Sequence, residues 1–152
     1  MNNFNFFSGI AFFTTFLITT NLEAQMYDHA IGLRGGAGIN FTYKKFFDGN
    51  NAFEAIVGWY TGRDDHLGLG LLYERHEEIS ELHPLHWYWA AGGFVTLVNS
   101  TGIGLMGGAG LDISFNRLPI NISIDLLPRI QIAGSNRFIE FGGGLAVRYI
   151  LN

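Results

Sequence analysis

Residues 102–115 read GIGLMGGAGLDISF, and this stretch decides between two kinds of protein. Its first six residues match the G-x-G-x-x-G pattern of dinucleotide-binding folds, which requires a strand before the glycines and a helix after them. The residues after Gly107 instead alternate, with Ala109, Leu111, Ile113 and Phe115 at every second position. Alternation with period two is typical of a β-strand that has two different faces. We therefore interpret the stretch as a glycine-rich strand and expect no cofactor.

The same alternation recurs along most of the chain. In residues 120–126, INISIDL, four apolar residues share one side while asparagine, serine and aspartate share the other. Turn-like pieces rich in glycine, proline, asparagine and aspartate separate such segments. An even number of strands of about 10 residues matches the small transmembrane β-barrel, so the sequence predicts an all-β, eight-stranded, antiparallel up-and-down barrel. The eight predicted strands lie approximately at 28–36, 37–46, 52–61, 66–78, 86–98, 102–116, 119–131 and 137–151.

The composition excludes several classes of function. Apolar residues make up 48% of the 152-residue chain, and charged residues only 14%, well below the roughly 25% that is usual for soluble domains. The net charge of −4 disfavours a nucleic-acid partner, because phosphate binding requires a basic surface. The absence of cysteine excludes disulfides, zinc–thiolate sites and cysteine nucleophiles.

The N-terminus predicts a cleaved secretory signal peptide at residues 1–24. Its apolar segment from Ile10 to Ile18 is too short to span a bilayer, which needs about 20 residues. The segment is followed by the small residue Ala24, a suitable last residue before cleavage. No lysine or arginine precedes the apolar segment, so a buried N-terminal strand or helix is the alternative. One barrel domain, residues 25–152, is expected to remain.

The polar face of the predicted strands is built largely from small residues, whereas the exterior of a soluble protein normally carries many lysines and glutamates. A membrane barrel turns its apolar face outward, and an eight-stranded lumen is just wide enough to be filled by side chains. We therefore expect a lumen charge network with three basic and five acidic members. The alternative is that these are solvated positions on a soluble sheet. The members are Arg34, Lys44, Glu54, Glu74, Asp112, Asp125, Glu140 and Arg148.

Outward-facing aromatic residues predict a girdle at the membrane interface. If the N-terminus is periplasmic, six of them lie near one rim and one near the other. The first six are Tyr43, Phe53, Tyr73, Trp87, Phe115 and Tyr149, and the seventh is Trp59.

Four large apolar residues occupy positions that the alternation assigns to the lumen face: Ile56, Leu72, Tyr88 and Phe94. Either they form an apolar layer inside the barrel, or the register in their strands slips by one residue, which would turn them outward.

Five stretches together resemble the small OmpA/OmpX-type outer-membrane β-barrel proteins of Gram-negative bacteria, and more closely an uncharacterised group of single-domain barrels in that superfamily. They are YDHAIGLRGG (27–36), GLLYERH (70–76), LHWYWAAGG (85–93), LPINISIDLLP (118–128) and GGGLAVRY (142–149). The resemblance implies an outer-membrane location, insertion by the outer-membrane assembly machinery, and no cofactor. Barrels of this kind usually end in an aromatic residue, whereas this chain ends in Asn152.

Catalysis is an alternative function, because some eight-stranded outer-membrane barrels modify lipid A. A lipid A deacylase needs a serine with a nearby histidine and an acid, yet no predicted strand contains a His-x-Ser pair. Two pairs of carboxylates, Glu74 with Asp112 and Asp125 with Glu140, have the residue types of a glycosidase. We interpret them as structural, and interpret His76 with its glutamate neighbours as the wetted end of strand four rather than a metal site.

The sequence thus predicts a small integral outer-membrane barrel with a structural or surface-interaction role, without catalysis or metal. We expect a monomer in contact with outer-membrane lipid. Two alternatives are a secreted soluble barrel that binds an apolar ligand, as a lipocalin does, and a lipid A-modifying enzyme. Unchanged lipid A in a strain lacking the gene would remove the latter.

The lumen network gives a first testable prediction. Replacing Arg34 or Arg148 by alanine should destabilise the barrel more than Lys45→Ala, because Lys45 has outward parity. Unfolding midpoints in detergent measure the difference, and equal midpoints for the three variants would contradict the network.

Overall fold

The computed structural model describes residues 27–61, 65–79, 81–82, 84–98, 101–115, 117–134 and 139–151. The predicted signal peptide, residues 1–24, lies outside these ranges. No helix among the residues described is long and apolar enough to cross a membrane.

Ten strand segments follow one another along the chain, and the first six agree with the predicted strands to within two residues at each end. They are β1 (His29–Gly35), β2 (Gly38–Asp48), β3 (Asn51–Tyr60), β4 (His66–Glu78), β5 (Leu85–Leu97), β6 (Gly102–Ser114), β7 (Ile120–Leu126), β8 (Arg129–Gly134), β9 (Ile139–Glu140) and β10 (Gly143–Leu151).

The sheet closes on itself. Consecutive strands from β1 to β6 pair antiparallel, and β1 also pairs with β10 along its whole length. Strand β6 pairs with β7 and β8, which in turn pair with β10 and β9. The predicted all-β, closed, antiparallel eight-stranded barrel is therefore confirmed, with β7 and β8 forming its seventh strand and β9 and β10 its eighth.

Pro128 explains why ten segments make eight strands. A proline has no backbone N–H and cannot donate to its neighbour strand, so the ladder is interrupted at this residue. The register is the same on both sides, since Ala109 pairs with Leu126 and Met106 with Arg129. The Pro128 carbonyl still accepts from Gly107 N at 3.2 Å. Two long predicted strands are thus continuous in register.

Side chains alternate between lumen and exterior along the strands, apart from register shifts between Phe46 and Asp48 and between Ile103 and Gly104. In β3, the residues at even positions from Ala52 to Gly58 are buried, while Phe53 and Val57 are exposed. Ile56, Leu72, Tyr88 and Phe94 are all buried in the lumen. The apolar inner layer is therefore the correct alternative, and the register does not slip.

The two ends of the barrel differ, and we call the end with the start of β1 and the β2–β3 turn the lower end. An apolar cluster of Tyr27, Ala30, Phe46, Ala52 and Ile150 fills the lumen there. The rings of Tyr27 and Phe46 meet edge to face, with centroids 4.9 Å apart. The upper end carries the β1–β2 turn, where Gly36 adopts a positive φ of 157°.

Glycines on the inner face supply the space that large lumen side chains occupy. A Cβ atom at Gly144 would overlap the guanidinium of Arg34, and one at Gly58 would overlap the side chain of Asn40. Because the interior of a protein is close-packed, each such side chain requires a glycine at the inward position that it covers. This explains why the stretch at 102–115 combines alternation with many glycines.

Two neighbouring glycines of β10 allow a direct test. Gly144→Ala should destabilise the barrel by about 1–3 kcal/mol, as overpacking does, because Arg34 cannot move away without leaving its partner. Gly143→Ala is the matched control, since its Cβ would meet only the Leu126 side chain at 3.4 Å and the Asp125 carbonyl. Urea unfolding in detergent measures both variants, and equal losses would show that the space at Gly144 is not needed.

Candidate functional site

Seven of the eight residues expected in the lumen network are buried inside the barrel, and they form three groups of contacts. The first group is centred on Arg148 of β10. Its guanidinium donates to Thr42 Oγ1 at 2.8 Å, to Ser123 Oγ at 2.8 Å and to Asn121 Oδ1 at 3.0 Å. It also forms an ion pair with Glu54. Strands β2, β3, β7 and β10 are thereby connected across the lumen by one side chain.

The second group surrounds Lys44 of β2. Its ammonium lies 2.8 Å from Glu74 Oε2 and 3.3 Å from Asp112 Oδ2. These three side chains are completely buried. The ammonium also lies 4.9 Å from the centre of the Tyr88 ring, within the distance of a cation–π interaction. Two carboxylates from β4 and β6 therefore share a single lysine from the opposite side of the barrel.

The third group is the pair of Arg34 and Asp125. Both terminal nitrogens of Arg34 donate to the carboxylate, at 2.6 and 2.7 Å, in the bidentate geometry that arginine favours. Tyr88 donates its hydroxyl to the same carboxylate at 2.9 Å. The group joins β1, β7 and β5.

Glu140 lies apart from the other seven residues. It is in the short strand β9 near the upper end, with its side chain 36% exposed. Its partner is Arg129 of β8, whose Nε donates to Glu140 Oε2 at 2.7 Å. The guanidinium of Arg129 also lies over the ring of Tyr60, 4.1 Å from its centre.

Arg129 was not predicted, although a signal was present. Continuing the alternation of residues 120–126 past the proline gives Arg129 the inward parity of Asp125, and it is indeed buried. Pro128 suggests from the sequence that the alternation of this strand ends, but the pairing with β6 keeps the same register on both sides of it. With Arg129, the buried charged side chains among the residues described are four basic and four acidic, and Glu140 remains partly exposed.

The interpretation of His76 as part of a wetted strand end is wrong. Its side chain is only 1% exposed, and Nε2 lies 2.8 Å from Glu74 Oε2. Its ring stacks on Tyr88 and packs against Phe46. His76 has the same even-numbered parity as Glu74, which could have placed it in the lumen. Its neighbours Glu77 and Glu78 do retain solvent contact.

The carboxylates considered for glycosidase chemistry are already engaged. Glu74 and Asp112 lie on either side of Lys44, while Asp125 is bound by Arg34 and Tyr88. Glu140 pairs with Arg129 rather than with Asp125. Among the residues described, no group of three or more histidines, aspartates and glutamates is arranged to hold a metal ion. The arrangement therefore crosslinks the barrel wall through ion pairs.

The aromatic residues predicted as a girdle all lie on the outside of the barrel. Six of the seven are exposed, and Tyr73 is partly covered while donating to Asn51 Oδ1 at 2.7 Å. Among the described residues, two further outward aromatics beside the lower rim were missed, Phe47 and Trp89. The ring of Phe47 stacks on Phe53 at 5.0 Å, and that of Trp89 lies 5.6 Å from Tyr73. The lower rim therefore carries a continuous row of rings across β2 to β5.

Comparison with known proteins identifies the fold. No family model matches the sequence, and no curated protein matches it either. Among solved structures, the chain is similar to the N-terminal β-barrel domain of Pseudomonas aeruginosa OprF, with a TM-score of 0.59 and 19% sequence identity. The match covers 81% of this chain and 94% of that domain. The predicted resemblance to an OmpA-like barrel is thus confirmed at the level of the fold.

A double-mutant cycle tests whether the lumen pairs stabilise the barrel as buried ion pairs. Arg148→Met leaves Glu54 buried without its cation, so we expect a loss of about 3–5 kcal/mol in the free energy of unfolding. The double variant Arg148→Met/Glu54→Gln should be more stable, by about 1 kcal/mol or more, than the sum of the two single losses in unfolding free energy predicts.

The matched control is the pair Arg75 and Glu77 on β4, whose side chains lie 2.8 Å apart but are 44% and 38% exposed. Its coupling should remain below about 1 kcal/mol. Equal coupling energies for the buried and the exposed pair would refute the assigned role of Arg148.

Proposed function

We propose that this chain is a small integral outer-membrane β-barrel protein whose lumen is closed by a structural charge network and which performs no catalysis. The observation that carries the proposal is the inverted distribution of its side chains. Arg34, Lys44, Glu54, Glu74, Asp112, Asp125 and Arg148 are buried inside, while large hydrophobic residues on β1 to β8 and on β10 are exposed outside. A soluble protein has no reason to expose so many apolar side chains, whereas a lipid environment requires it.

The length of the strands supports a transmembrane position. A tilted β-strand needs about 9–11 residues to cross the hydrocarbon layer, and β2 to β6 contain 10–13 residues each. Closure of the sheet also pairs the backbones of β1 to β7 and β10 on both sides, as the interior of a membrane demands. The likeness to the OprF barrel domain supports a location in the outer membrane of a Gram-negative bacterium.

The partners of such a protein follow from its surfaces. The apolar exterior would contact outer-membrane lipid, and the assembly machinery of the outer membrane would insert the chain. We propose a monomer, because β1 to β7 and β10 each pair with neighbours on both sides and so offer no edge for pairing with a second copy. The filled lumen favours a structural or surface-interaction role over transport of solutes.

A soluble ligand-binding barrel requires an apolar interior cavity, as in lipocalins. The interior here is occupied instead by ion pairs and by the buried apolar layer of Ile56, Leu72 and Tyr88. The observed packing therefore favours the membrane barrel over the lipocalin-like alternative.

Cell fractionation tests the location. We expect the mature protein to separate with outer membranes, to resist alkaline extraction and to change its gel mobility when heated in detergent. Recovery in the soluble fraction without detergent, with no mobility shift, would exclude an integral barrel and favour the soluble alternative.

Tryptophan fluorescence tests the orientation of the two faces. Trp59, Trp87 and Trp89 are all exposed on the outer surface, so brominated lipids should quench their fluorescence after reconstitution. Variants that retain a single tryptophan report how deep that side chain lies in the bilayer. Trp59 and Trp87 lie towards opposite rims of the barrel, so bromines near the headgroup should quench both most strongly. Quenching only by aqueous iodide would show that these faces contact water.

A further inference from the structure

Among the residues described, the middle of the lumen contains one more carboxyl group than it has cations. A buried charge without a counter-ion is strongly unfavourable, so this layer of the barrel needs either a further positive charge or one bound proton. The five buried groups are the cations Lys44 and Arg148 and the carboxyl groups of Glu54, Glu74 and Asp112.

Two of the three carboxyl groups are in contact with each other. Ala52 pairs with Glu74 and Glu54 pairs with Leu72, so the two glutamates are diagonal neighbours on the inner faces of β3 and β4. Their carboxyl groups lie within hydrogen-bonding distance of each other. An ionised carboxylate only accepts hydrogen bonds, whereas a protonated carboxyl group donates one. The two groups can therefore form a hydrogen bond only if one of them carries a proton.

The other contacts show which carboxyl group carries this proton. Glu54 forms an ion pair with Arg148, and both oxygens of Asp112 accept hydrogen bonds. Glu74 Oε2 lies 2.8 Å from the Lys44 ammonium. In contrast, Glu74 Oε1 is buried, and no donor among the residues described reaches it. A proton on this oxygen turns an unpaired acceptor into a donor to Glu54.

His76 is the other group that could hold the extra proton as a cation. Its Nε2 lies 2.8 Å from Glu74 Oε2, while its Nδ1 is buried without a partner among the residues described. A cationic imidazole donates from both nitrogens, so a buried N–H would lack an acceptor, and the positive ring would share one carboxyl oxygen with Lys44. A neutral ring that donates from Nε2 avoids the second charge and leaves only a bare ring nitrogen unpaired.

The ionisable groups that face this site come from most of the neighbouring strands. The charged residues nearer the upper end do not supply the missing cation, because Arg34 is engaged by Asp125 and Arg129 by Glu140. The groups that face Glu74 and Glu54 are Tyr27 before β1, Lys44 on β2, His76 on β4, Tyr88 on β5, Asp112 on β6 and Arg148 on β10.

We propose that the middle of the lumen is a proton-binding site, in which Glu74 is a neutral carboxylic acid that donates its proton to Glu54. One proton balances the three carboxyl groups against Lys44 and Arg148. Closure of the barrel at this height then depends on pH, because loss of the proton places two anions in contact at a buried position. This inference concerns the folded barrel in detergent and does not depend on the proposed membrane location.

Infrared spectroscopy of the folded protein tests for the proton directly, because a protonated carboxyl group has a C=O stretching band that an ionised one lacks. We expect such a band at neutral pH, and isotopic labelling of the glutamate side-chain carboxyl carbon should shift it. Glu74→Gln should remove the band. Glu140→Gln, at the partly exposed pair with Arg129, is the matched control and should retain it. A wild-type spectrum without a protonated carboxyl band would overturn the proposal.

Glu54→Gln distinguishes a shared proton from an acid that is neutral only because it is buried. This variant leaves two cations facing two carboxyl groups, so Glu74 should ionise and the band should disappear. Heat-modifiable gel mobility first establishes that the variant is folded. Persistence of the band in the folded variant would show that Glu74 does not share its proton with Glu54, which would also overturn the proposal.

The pH dependence of stability is a second measurement. In the unfolded chain a glutamate has a pKa of about 4.3, so above this pH the folded protein holds one proton more than the unfolded one and loses stability as the pH rises. The unfolding equilibrium constant of the wild type, relative to that of Glu74→Gln, should increase about tenfold per pH unit between about pH 5.5 and 7. Parallel pH profiles of the two proteins would contradict a proton bound at Glu74.

Discussion

The burial of Arg148 in the middle of the barrel is the constraint on which the rest of the structure depends. Removing a charged group from water costs several kcal/mol, and the cost is offset only when good partners surround it. Glu54, Thr42, Asn121 and Ser123 supply these partners from three other strands. A slip of one residue would turn these side chains outward and leave the guanidinium without them. Closure in this one register is therefore favoured over the alternatives.

The charges also determine where glycine is required. A large inward side chain covers the inward position beside it on the neighbouring strand, and that position must leave the volume free. Gly144 lies beneath Arg34, Gly58 beneath Asn40, and Gly68 beneath the ring of Tyr60. The high glycine content and the buried charges are thus two aspects of one packing problem.

The buried side chains of the lumen are placed to crosslink the strands of the barrel rather than to catalyse a reaction. The buried carboxylates are bound by arginine, lysine, tyrosine or asparagine, and the lower end is filled by an apolar cluster. The upper part of the lumen contains a small cavity lined in part by Arg34, Asn40 and Tyr60. The asymmetry between the two ends arises because apolar side chains close one of them and charged or polar side chains line the other.

Sequence by itself determined the face on which each residue lies. Seven lumen charges and the outward aromatics follow from period-two alternation, which is a local property of an extended backbone, whereas the structure decided that Ile56, Leu72, Tyr88 and Phe94 form an inner layer. The same rule could have placed His76 and Arg129, had the alternation been continued to the strand end and past Pro128. Only the tertiary structure decided that Arg148 meets Glu54, that Lys44 is shared by two carboxylates, and that Glu140 pairs with Arg129. Glu140 and Arg129 face each other on the neighbouring strands β8 and β9. The Arg148 and Lys44 pairings join residues far apart in the chain, and they depend on how the closed barrel aligns the heights of strands across the lumen, which no local pattern specifies.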